Sequence, residues 1–301
     1  ADGSDMGGSL RNPASFCGVV GLRPSPGVVP SWPNRNAFGT LSTDGPMARS
    51  VADVALLLSV LAGEDGRVPV AVPGDPTRYR APFAADDLAG LRVAWAPTLG
   101  GLPVAADVLE VTNAARSAFE AVGAVTDDAD PPLGGADEVF EALRAMQFEM
   151  GFGALLDTRP QDLKATVRWN IECGRRLSGP DIGRAEAGRS RIFQQMAGFF
   201  DEYDLLVGVV SQVAPFDVEV EYPTEVAGQP MGSYIEWMRS CSRITVTACP
   251  ALSLPAGHTP DGLPIGLQLV APYRQERRLL EIAAVLEREL APRQAPAPLA
   301  R

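Results

Sequence analysis

Residues 5–18 read DMGGSLRNPASFCG, in which a serine directly follows a pair of glycines. Glycine adopts positive φ at little cost, so such a pair can form a simple turn. It can also form a phosphate-binding loop, or a nest of backbone N–H groups that stabilises a developing oxyanion. In the last case Ser9 would be the nucleophile, because it directly follows the two glycines and could attack a carbonyl carbon held in the nest.

The flanking residues decide only partly between these interpretations. A phosphate loop needs a lysine after the glycines, and a dinucleotide fingerprint needs GxGxxG, whereas Ser9, Leu10 and Arg11 follow here. The turn and the nucleophile nest both stay open. Asp5 and Arg11 carry opposite charges on the two sides of the loop and could pair beneath it to fix its shape.

A serine nucleophile needs a proton acceptor, and this chain offers few candidates. His258 is the only histidine and lies in PAGHTPDG, whose Pro, Gly and Asp content is typical of an exposed turn. Lys164 is the only lysine, and its polar surroundings indicate the solvated face of a helix. We therefore expect no Ser-His-Asp triad and assign neither residue as the base.

Composition and charge exclude several classes of protein. A formal net charge of −11 without any basic block argues against a nucleic-acid partner. The cysteines lack metal-ligand spacing, so we expect no metal site and four reduced thiols, each buried or half buried. The longest apolar stretch, VALLLSVLA, is too short to span a bilayer, and no signal peptide begins the chain. These features predict a cytoplasmic protein with no membrane contact.

The elements that must position the loop alternate along the chain. Ser50 and Asp53 form a capping-box pattern before a helix that ends at Gly63, and 64–90 is predicted to be a surface loop. This alternation implies one α/β unit with helices on both faces of its sheet. Strands are predicted at 91–97, 124–128, 203–210, 251–257 and 264–271, helices at 105–122 and 275–290, a mostly helical segment at 137–204, and a Pro/Ala tail at the end.

Segments at both ends of the chain resemble one known family. GSDMGGSLRNPASFCGVVGLRPS follows the pattern TDxGGSxRxPASxCGxxGLxPS of the nucleophile segment in amidase signature hydrolases, and DGPMARSVADVALLLSVLAG continues it. CPALSLPAGHTPDGLPIGLQLVAPYRQERRLLEIAAVLE resembles the family's closing strands and helix. The resemblance implies an α/β fold with a mixed β-sheet core flanked by helices on both faces. Residues 1–301 would form the C-terminal part of a single domain of that fold.

The resemblance also implies an activity, the hydrolysis of a carboxylic amide C–N bond through a serine acyl-enzyme. It implies no cofactor and no metal. Ser9 matches the family's nucleophile, and Asp5 and Arg11 match charged residues that shape the loop. The family's oxyanion hole corresponds to the backbone N–H groups of Met6, Gly7, Gly8 and Ser9.

The rest of the family's catalytic triad has no match in this sequence. The family uses a bridging cis-peptide serine and a lysine, both upstream of the nucleophile, and only eight residues precede Ser9. Lys164 lies downstream and cannot replace that lysine by position. We therefore expect both partners in an upstream segment, and we expect residues 1–301 alone to be inactive.

The segment 139–225 departs most from the family pattern. It is predicted to be mostly helical, and in the family this region builds the acyl-group pocket, so we expect it to line the substrate site. Val210, Ser211 and Gln212 stand where the family often has Pro-Thr, which leaves the subfamily open. The candidate wall residues, each of a type that is more often ordinary core, are Phe148, Phe152, Trp169, Ile192, Tyr234 and Trp237.

Three functions stay open at this point. The leading one is a standalone hydrolase of a small-molecule amide. The second is the amidase-type subunit of a glutamine-dependent aminoacyl-tRNA amidotransferase, which shares the nucleophile motif but would work with partner subunits. The third is a non-catalytic truncated homologue that keeps the fold. The expected partners are the substrate and the upstream segment, and a homodimer is left open.

Overall fold

A mixed eight-stranded sheet lies at the centre of the computed structural model, which describes residues 1–84 and 87–290. Two further short strands, β7 and β8, pair with each other outside this sheet. In chain order the strands are β1 (Asp2–Asp5), β2 (Val20–Arg23), β3 (Thr43–Ala48), β4 (Arg92–Trp95), β5 (Val125–Asp128), β6 (Leu205–Val209), β7 (Glu225–Val226), β8 (Gln229–Pro230), β9 (Ala251–His258) and β10 (Pro264–Val270).

The central sheet has the order β1-β3-β2-β9-β10-β6-β4-β5. Neighbours from β1 through to β6 run antiparallel, whereas β4 runs parallel to both β6 and β5. The α-helices are α1 (Arg11–Phe16), α2 (Val51–Leu61), α3 (Ala106–Ala114), α4 (Arg116–Ala121), α5 (Ala136–Thr158), α6 (Ala165–Arg176), α7 (Gly179–Glu202), α8 (Arg239–Val246) and α9 (Glu276–Leu290).

Each face of the sheet carries its own apolar core. Successive side chains of a strand point to opposite faces, so Leu267 and Leu269 of β10 face one core and Val270 faces the other. Helices α2, α4 and α9 cover the first face, and α5, α7 and α8 cover the second. This arrangement confirms the predicted class, a mixed sheet with helices on both faces.

Local signals in the sequence place several helix ends correctly. The Ser50 hydroxyl caps α2, because it accepts a hydrogen bond from the Asp53 N–H at 3.2 Å and donates one to the Asp53 carboxylate at 2.8 Å. Helices α5, α6 and α7 occupy most of 137–204. Among the helices of the described residues, none combines the length and the apolar character needed to cross a bilayer. The Pro/Ala tail lies outside the described residues.

The prediction of one continuous helix over 105–122 is wrong. The structure divides it into α3 and α4, with a break at Ala115. The two parts serve different cores: Val108 of α3 packs in the second core, whereas Phe119 of α4 packs in the first, edge-on to Trp95 at 5.4 Å between ring centroids. The break at Ala115 thus separates a half that packs in the second core from a half that packs in the first.

Helix α1 lies directly on the sheet, and this contact depends on a glycine in β2. A Cβ atom added to Gly21 would lie 2.6 Å from Ala14 Cβ and 2.6 Å from the Leu10 carbonyl oxygen. The Ser15 hydroxyl of α1 also accepts a hydrogen bond from the Gly266 N–H of β10 at 2.8 Å. The loop that precedes α1 is therefore held at a fixed height above β2 and β10.

We predict that Gly21→Ala lowers the free energy of unfolding by about 1–3 kcal/mol, because the new methyl group overlaps α1. Urea unfolding followed by circular dichroism measures this change. The matched control is Gly66→Ala, since an added Cβ at Gly66 has no heavy atom within 4 Å and should leave stability unchanged or slightly raised. Equal stability of the two variants would contradict the close packing of α1.

Candidate active site

The loop formed by residues 6–10 joins β1 to α1 and carries the predicted nucleophile. Gly7 and Gly8 are buried, whereas Ser9 is exposed to solvent. Gly8 has φ of +120°, and a Cβ atom there would lie 2.7 Å from Cys241 Cβ. Glycine is required at this position for its backbone conformation and for its close approach to α8.

The Asp5 carboxylate lies beneath the loop and organises it from inside. Its Oδ1 accepts a hydrogen bond from the Gly8 N–H at 2.9 Å, and its Oδ2 accepts one from the Leu10 N–H at 3.2 Å. The Arg11 N–H donates to the same Oδ2 at 3.4 Å. The residue at the N-cap of α1, Leu10, provides no side-chain cap, so Asp5 satisfies N–H groups that would otherwise be buried without acceptors.

Arg11 pairs with Asp5, as the sequence predicts. The closest distance between them is 2.9 Å, from Arg11 Nη2 to Asp5 Oδ1, and both side chains are inaccessible to solvent. Arg11 Nε also donates to Asp5 Oδ2 at 3.0 Å, which makes the pair bidentate.

The other N–H groups of Arg11 reach across the fold. Nη1 donates to the carbonyl oxygen of Cys241 at 3.0 Å and to Oε1 of Gln268 at 2.6 Å, while Nη2 also donates to Thr245 Oγ1 at 2.9 Å. Together with the two bonds to Asp5, all five guanidinium donors have partners. The pair thereby connects β1 and α1 to α8 and β10.

Gln268 is a functional support that was not predicted from the sequence. Its Nε2 donates to the carbonyl oxygens of Val209 and Ser240, each at 3.0 Å, so every polar atom of its amide is bonded. The signal was present in PIGLQLVA, because a glutamine inside an otherwise apolar strand must be buried and must find partners.

A second buried arginine, Arg23 of β2, was also missed. Its Nη1 donates to the Asp5 carbonyl oxygen and, at 2.9 Å, to Thr43 Oγ1, and its Nη2 donates to the Leu41 carbonyl oxygen at 3.0 Å. Its Nε is buried without a partner among the described residues. Burial and the nearby charge of Arg11 lower the pKa of Arg23 to about 9, while Asp5 opposes this change.

The charge of Asp5 is maintained by its partners. Burial alone would raise the pKa of this carboxyl group, but the charge and hydrogen bonds of Arg11, together with the charge of Arg23, lower it to about 2. A buried carboxylate can persist only when it is paired in this way. We therefore expect the loop to keep its shape at every pH at which Asp5 is ionised.

The nest above Asp5 offers three N–H groups to an incoming atom. The Gly8 N–H is already bonded to Asp5, so Gly8 contributes its conformation and not a free donor. Within the part of the chain that the structure describes, the N–H groups of Met6, Gly7 and Ser9 have no hydrogen-bond acceptor. Neighbouring backbone N–H groups of a turn that have no acceptor within the protein can bind an anion.

A cysteine thiol lies beside the nest but is not a second nucleophile. Cys241 is fully buried, and burial raises the pKa of its thiol to about 12, so the thiolate is not formed at neutral pH. Its Sγ lies 3.2 Å from the Val210 carbonyl oxygen.

The prediction that all four cysteines are buried or half buried needs one correction. Cys241 and Cys249 are buried and Cys173 is half buried, but Cys17 is exposed.

Neither candidate base in the chain reaches Ser9. His258 is exposed, as predicted, although it ends β9 instead of lying within the turn. It pairs with Pro264, which lies against Gly18 beyond the far end of α1, whereas Ser9 precedes α1. Lys164 is exposed at the start of α6. No hydrogen bond joins either side chain to Ser9 among the residues described.

The structure brings together some of the predicted wall residues and separates others. Trp169 and Tyr234 contact edge to face at 6.1 Å between ring centroids, and Phe148 lies near them, 5.7 Å from Phe152. Trp237 instead stacks on Phe16 at 6.2 Å, within a separate aromatic group that includes Phe216. Ile192 is fully buried core.

The wall closest to the nest consists of two residues that were not predicted from the sequence. A Cβ atom added to Gly7 would lie 3.2 Å from Phe140 Cζ and 3.3 Å from Met238 Cε. Helix α5 and the segment before α8 therefore meet the loop at Gly7.

In the described residues, no group of three or more His, Cys, Asp and Glu side chains is placed to hold a metal ion.

We predict that Asp5→Asn lowers the free energy of unfolding at pH 6 by about 3–5 kcal/mol, because it leaves Arg11 buried without its counter-charge. The carboxylate's contribution is complete above its unfolded pKa of about 4 and disappears as the pH falls towards 2. The difference between wild type and variant should therefore shrink by about 2 kcal/mol between pH 6 and pH 2. Urea unfolding at several pH values measures it.

The control for this experiment is Asp2→Asn, an exposed aspartate in the same strand. It should cost about 0.5 kcal/mol or less at every pH. A difference between wild type and Asp5→Asn that stays constant down to pH 2 would contradict the role of the ionised carboxylate.

Comparison with known proteins identifies the same family. The sequence model of the Amidase family matches residues 1–280. An acylamidase of Rhodococcus erythropolis is 35% identical over 294 residues, which are 95% of this chain and 60% of that protein. A glutamyl-tRNA(Gln) amidotransferase subunit of Streptococcus equi subsp. zooepidemicus (strain H70) is 30% identical over 311 residues, 95% of this chain and 62% of that protein.

Solved structures agree with these relatives in fold. A bacterial aryl acylamidase of the amidase signature family superposes with a TM-score of 0.85 and 25% identity, covering 96% of this chain and 62% of that one. A 6-aminohexanoate cyclic dimer hydrolase with bound substrate superposes with a TM-score of 0.81 and 25% identity. The match covers 97% of this chain and 65% of that one. The chain thus spans about 60–65% of the length of the relatives that it matches. By its match over residues 1–280, the chain belongs to the amidase signature family of amide hydrolases.

Proposed function

We propose that this chain carries the nucleophile and the oxyanion-binding loop of an amide hydrolase that acts through a serine acyl-enzyme. One observation carries the proposal: the buried Asp5–Arg11 pair fixes a loop whose serine is exposed and whose N–H groups at Met6, Gly7 and Ser9 have no described acceptor. Such a loop is preorganised for negative charge that develops during reaction.

In the proposed reaction, Ser9 Oγ bonds to the carbonyl carbon of a carboxylic amide while its proton passes to a base. The electron pair of the C=O bond moves to oxygen, which accepts hydrogen bonds from the N–H groups of Met6, Gly7 and Ser9. The C–N bond then breaks, the nitrogen takes a proton and leaves as ammonia or an amine, and water hydrolyses the resulting serine ester. The Gly8 N–H stays with Asp5 throughout.

The proton acceptor in this proposal lies outside the described residues. His258 and Lys164 are exposed and make no described contact with Ser9, so neither is assigned this role. The family resemblance implies a bridging serine and a neutral lysine. We propose that such a pair, upstream of the nucleophile, accepts the Ser9 proton and returns it to the leaving nitrogen.

Three observations favour a hydrolase of small amides over an amidotransferase component. Identity is higher to the acylamidase, 35%, than to the amidotransferase relative, 30%. The chain carries a net charge of −11, which disfavours a tRNA partner. Apolar side chains, Phe140 and Met238, adjoin the nest at Gly7 and suit an acyl group. We propose a small-molecule amide as the substrate and the cytoplasm as the location.

We predict that Ser9→Ala abolishes acyl-enzyme formation, because the described residues of the nest include no other activated nucleophile. Mass spectrometry after labelling with a fluorophosphonate measures it, in a form of the protein that also carries the upstream segment. The matched control is Ser4→Ala, which removes an exposed serine from β1 and should leave labelling complete. Full labelling of Ser9→Ala would show that another residue is the nucleophile.

We predict that His258→Ala leaves kcat/KM for amide hydrolysis within a few-fold of wild type. His258 is exposed at the end of β9, beyond the far end of α1 from Ser9, whereas loss of a general base slows a reaction on the order of 10²-fold or more. Steady-state kinetics with one amide substrate decide the question. A hundredfold loss would revive a Ser-His mechanism.

A further inference from the structure

One arginine in the wall beside the nest has no counter-charge among the described residues. Arg144 of α5 is 9% exposed and lies one helical turn after Phe140, the residue that meets Gly7. Its Nη1 lies 3.6 Å from Met6 Sδ, so its guanidinium reaches the side chain of the nest's first residue. One turn of helix advances about 6 Å, so Arg144 follows Phe140 at about that distance along α5.

The contacts of Arg144 are aromatic and neutral. Its guanidinium carbon lies 4.4 Å from the ring centroid of Phe148, 5.5 Å from that of Tyr234 and 5.9 Å from that of Phe140. Its Nη2 donates to the Tyr234 hydroxyl oxygen, and its Nε is buried without a partner in the described part of the chain. Across residues 1–84 and 87–290, no carboxylate lies within 4.0 Å of it.

Two arginines of neighbouring helices, Arg243 and Arg175, differ from Arg144 because each has a carboxylate partner. Arg243 of α8 forms a bidentate pair with Asp137 of α5 at 2.7 and 2.9 Å. Arg175 of α6 binds Asp157 at 2.8 Å. A buried cation without a counter-charge is costly, and ring faces replace only part of the lost hydration. The described surroundings of Arg144 therefore lack a balancing anion.

Tyr234 adds a second donor at the same place. Its hydroxyl oxygen accepts hydrogen bonds from Arg144 and from Asn170 Nδ2, the latter at 2.6 Å. Asn170 is itself buried and also bonded to the Thr166 carbonyl oxygen at 2.8 Å, which fixes its amide. With both acceptor positions filled, the Tyr234 O–H can still donate one hydrogen bond.

We propose that Arg144 and Tyr234 form a carboxylate-binding subsite, and that the enzyme selects amides whose acyl chain ends in a carboxylate. The inference rests on the proposed function for the reaction, but the binding of the carboxylate stands independently of it. Arg144 donates to the carboxylate through Nη1, and Tyr234 donates through its hydroxyl.

Two substrates that differ only at the far end of the chain test the subsite. Adipamate carries a carboxylate where hexanamide carries a methyl group. In a form of the protein that hydrolyses hexanamide, kcat/KM should be higher for adipamate. Arg144→Met should lower the adipamate value by about 10- to 100-fold and the hexanamide value by no more than a few-fold. Arg144→Lys, which keeps the charge without the fork, should give an intermediate loss for adipamate.

The matched control is Arg159→Met, which removes an exposed arginine next to the end of the same helix and should change neither value. Thermal melts of all variants establish that they are folded. Equal losses for both substrates in Arg144→Met, or no preference for adipamate in wild type, would overturn the proposal. The first result would mean that Arg144 only supports the wall.

Binding of adipate separates this inference from the proposed reaction. Calorimetric titration of Ser9→Ala should show adipate binding that weakens at least tenfold when Arg144→Met is added. Failure of Ser9 to be labelled by a fluorophosphonate, in a form that carries the upstream segment, would refute the proposed function while the titration still decides the subsite. Hydrolysis of hexanamide with no adipate binding would refute the subsite alone.

Discussion

Arg11 has five N–H groups and no access to water, and the requirement that each find an acceptor constrains the whole site. Asp5 supplies two acceptors, and α8 and β10 supply the others through Cys241, Thr245 and Gln268. Elements from both ends of the chain must therefore dock in one relative position before the charge is satisfied. The same Asp5 carboxylate binds the loop's own N–H groups, so the shape of the nest and the packing of the fold are a single constraint.

Buried arginines play two different parts around the nest. Arg11 is saturated by protein groups and leaves nothing for a ligand. Arg144 has aromatic neighbours, an unbonded Nε and no carboxylate within reach among the described residues. The difference follows from their surroundings: Arg11 meets the carboxylate of Asp5, whereas Arg144 meets ring faces and the neutral Tyr234 hydroxyl. We expect substrate specificity to arise where a charged side chain is buried without a counter-charge.

Features set by neighbours in sequence were predicted well. Ser50 and Asp53 indicated the start of α2, and the pairing of Asp5 with Arg11 followed from their positions on either side of the glycines. The break at Ala115 was not predictable from spacing, because it depends on which core each half of 105–122 meets. The role of Gln268 and the location of Trp237 were missed for a similar reason, since their partners are distant in sequence.

The long reach of Arg11 also determines when the nest can take shape during synthesis. Gln268 follows Arg11 by 257 residues, so the ribosome makes the loop long before it makes this acceptor. At about 5–20 residues per second, the interval is on the order of 10–50 s. During that time Arg11 lacks its acceptors in α8 and β10, so the network of hydrogen bonds that fixes the nest is incomplete. Assembly of the nest is thus tied to the arrival of β10, almost the last part of the described fold to emerge.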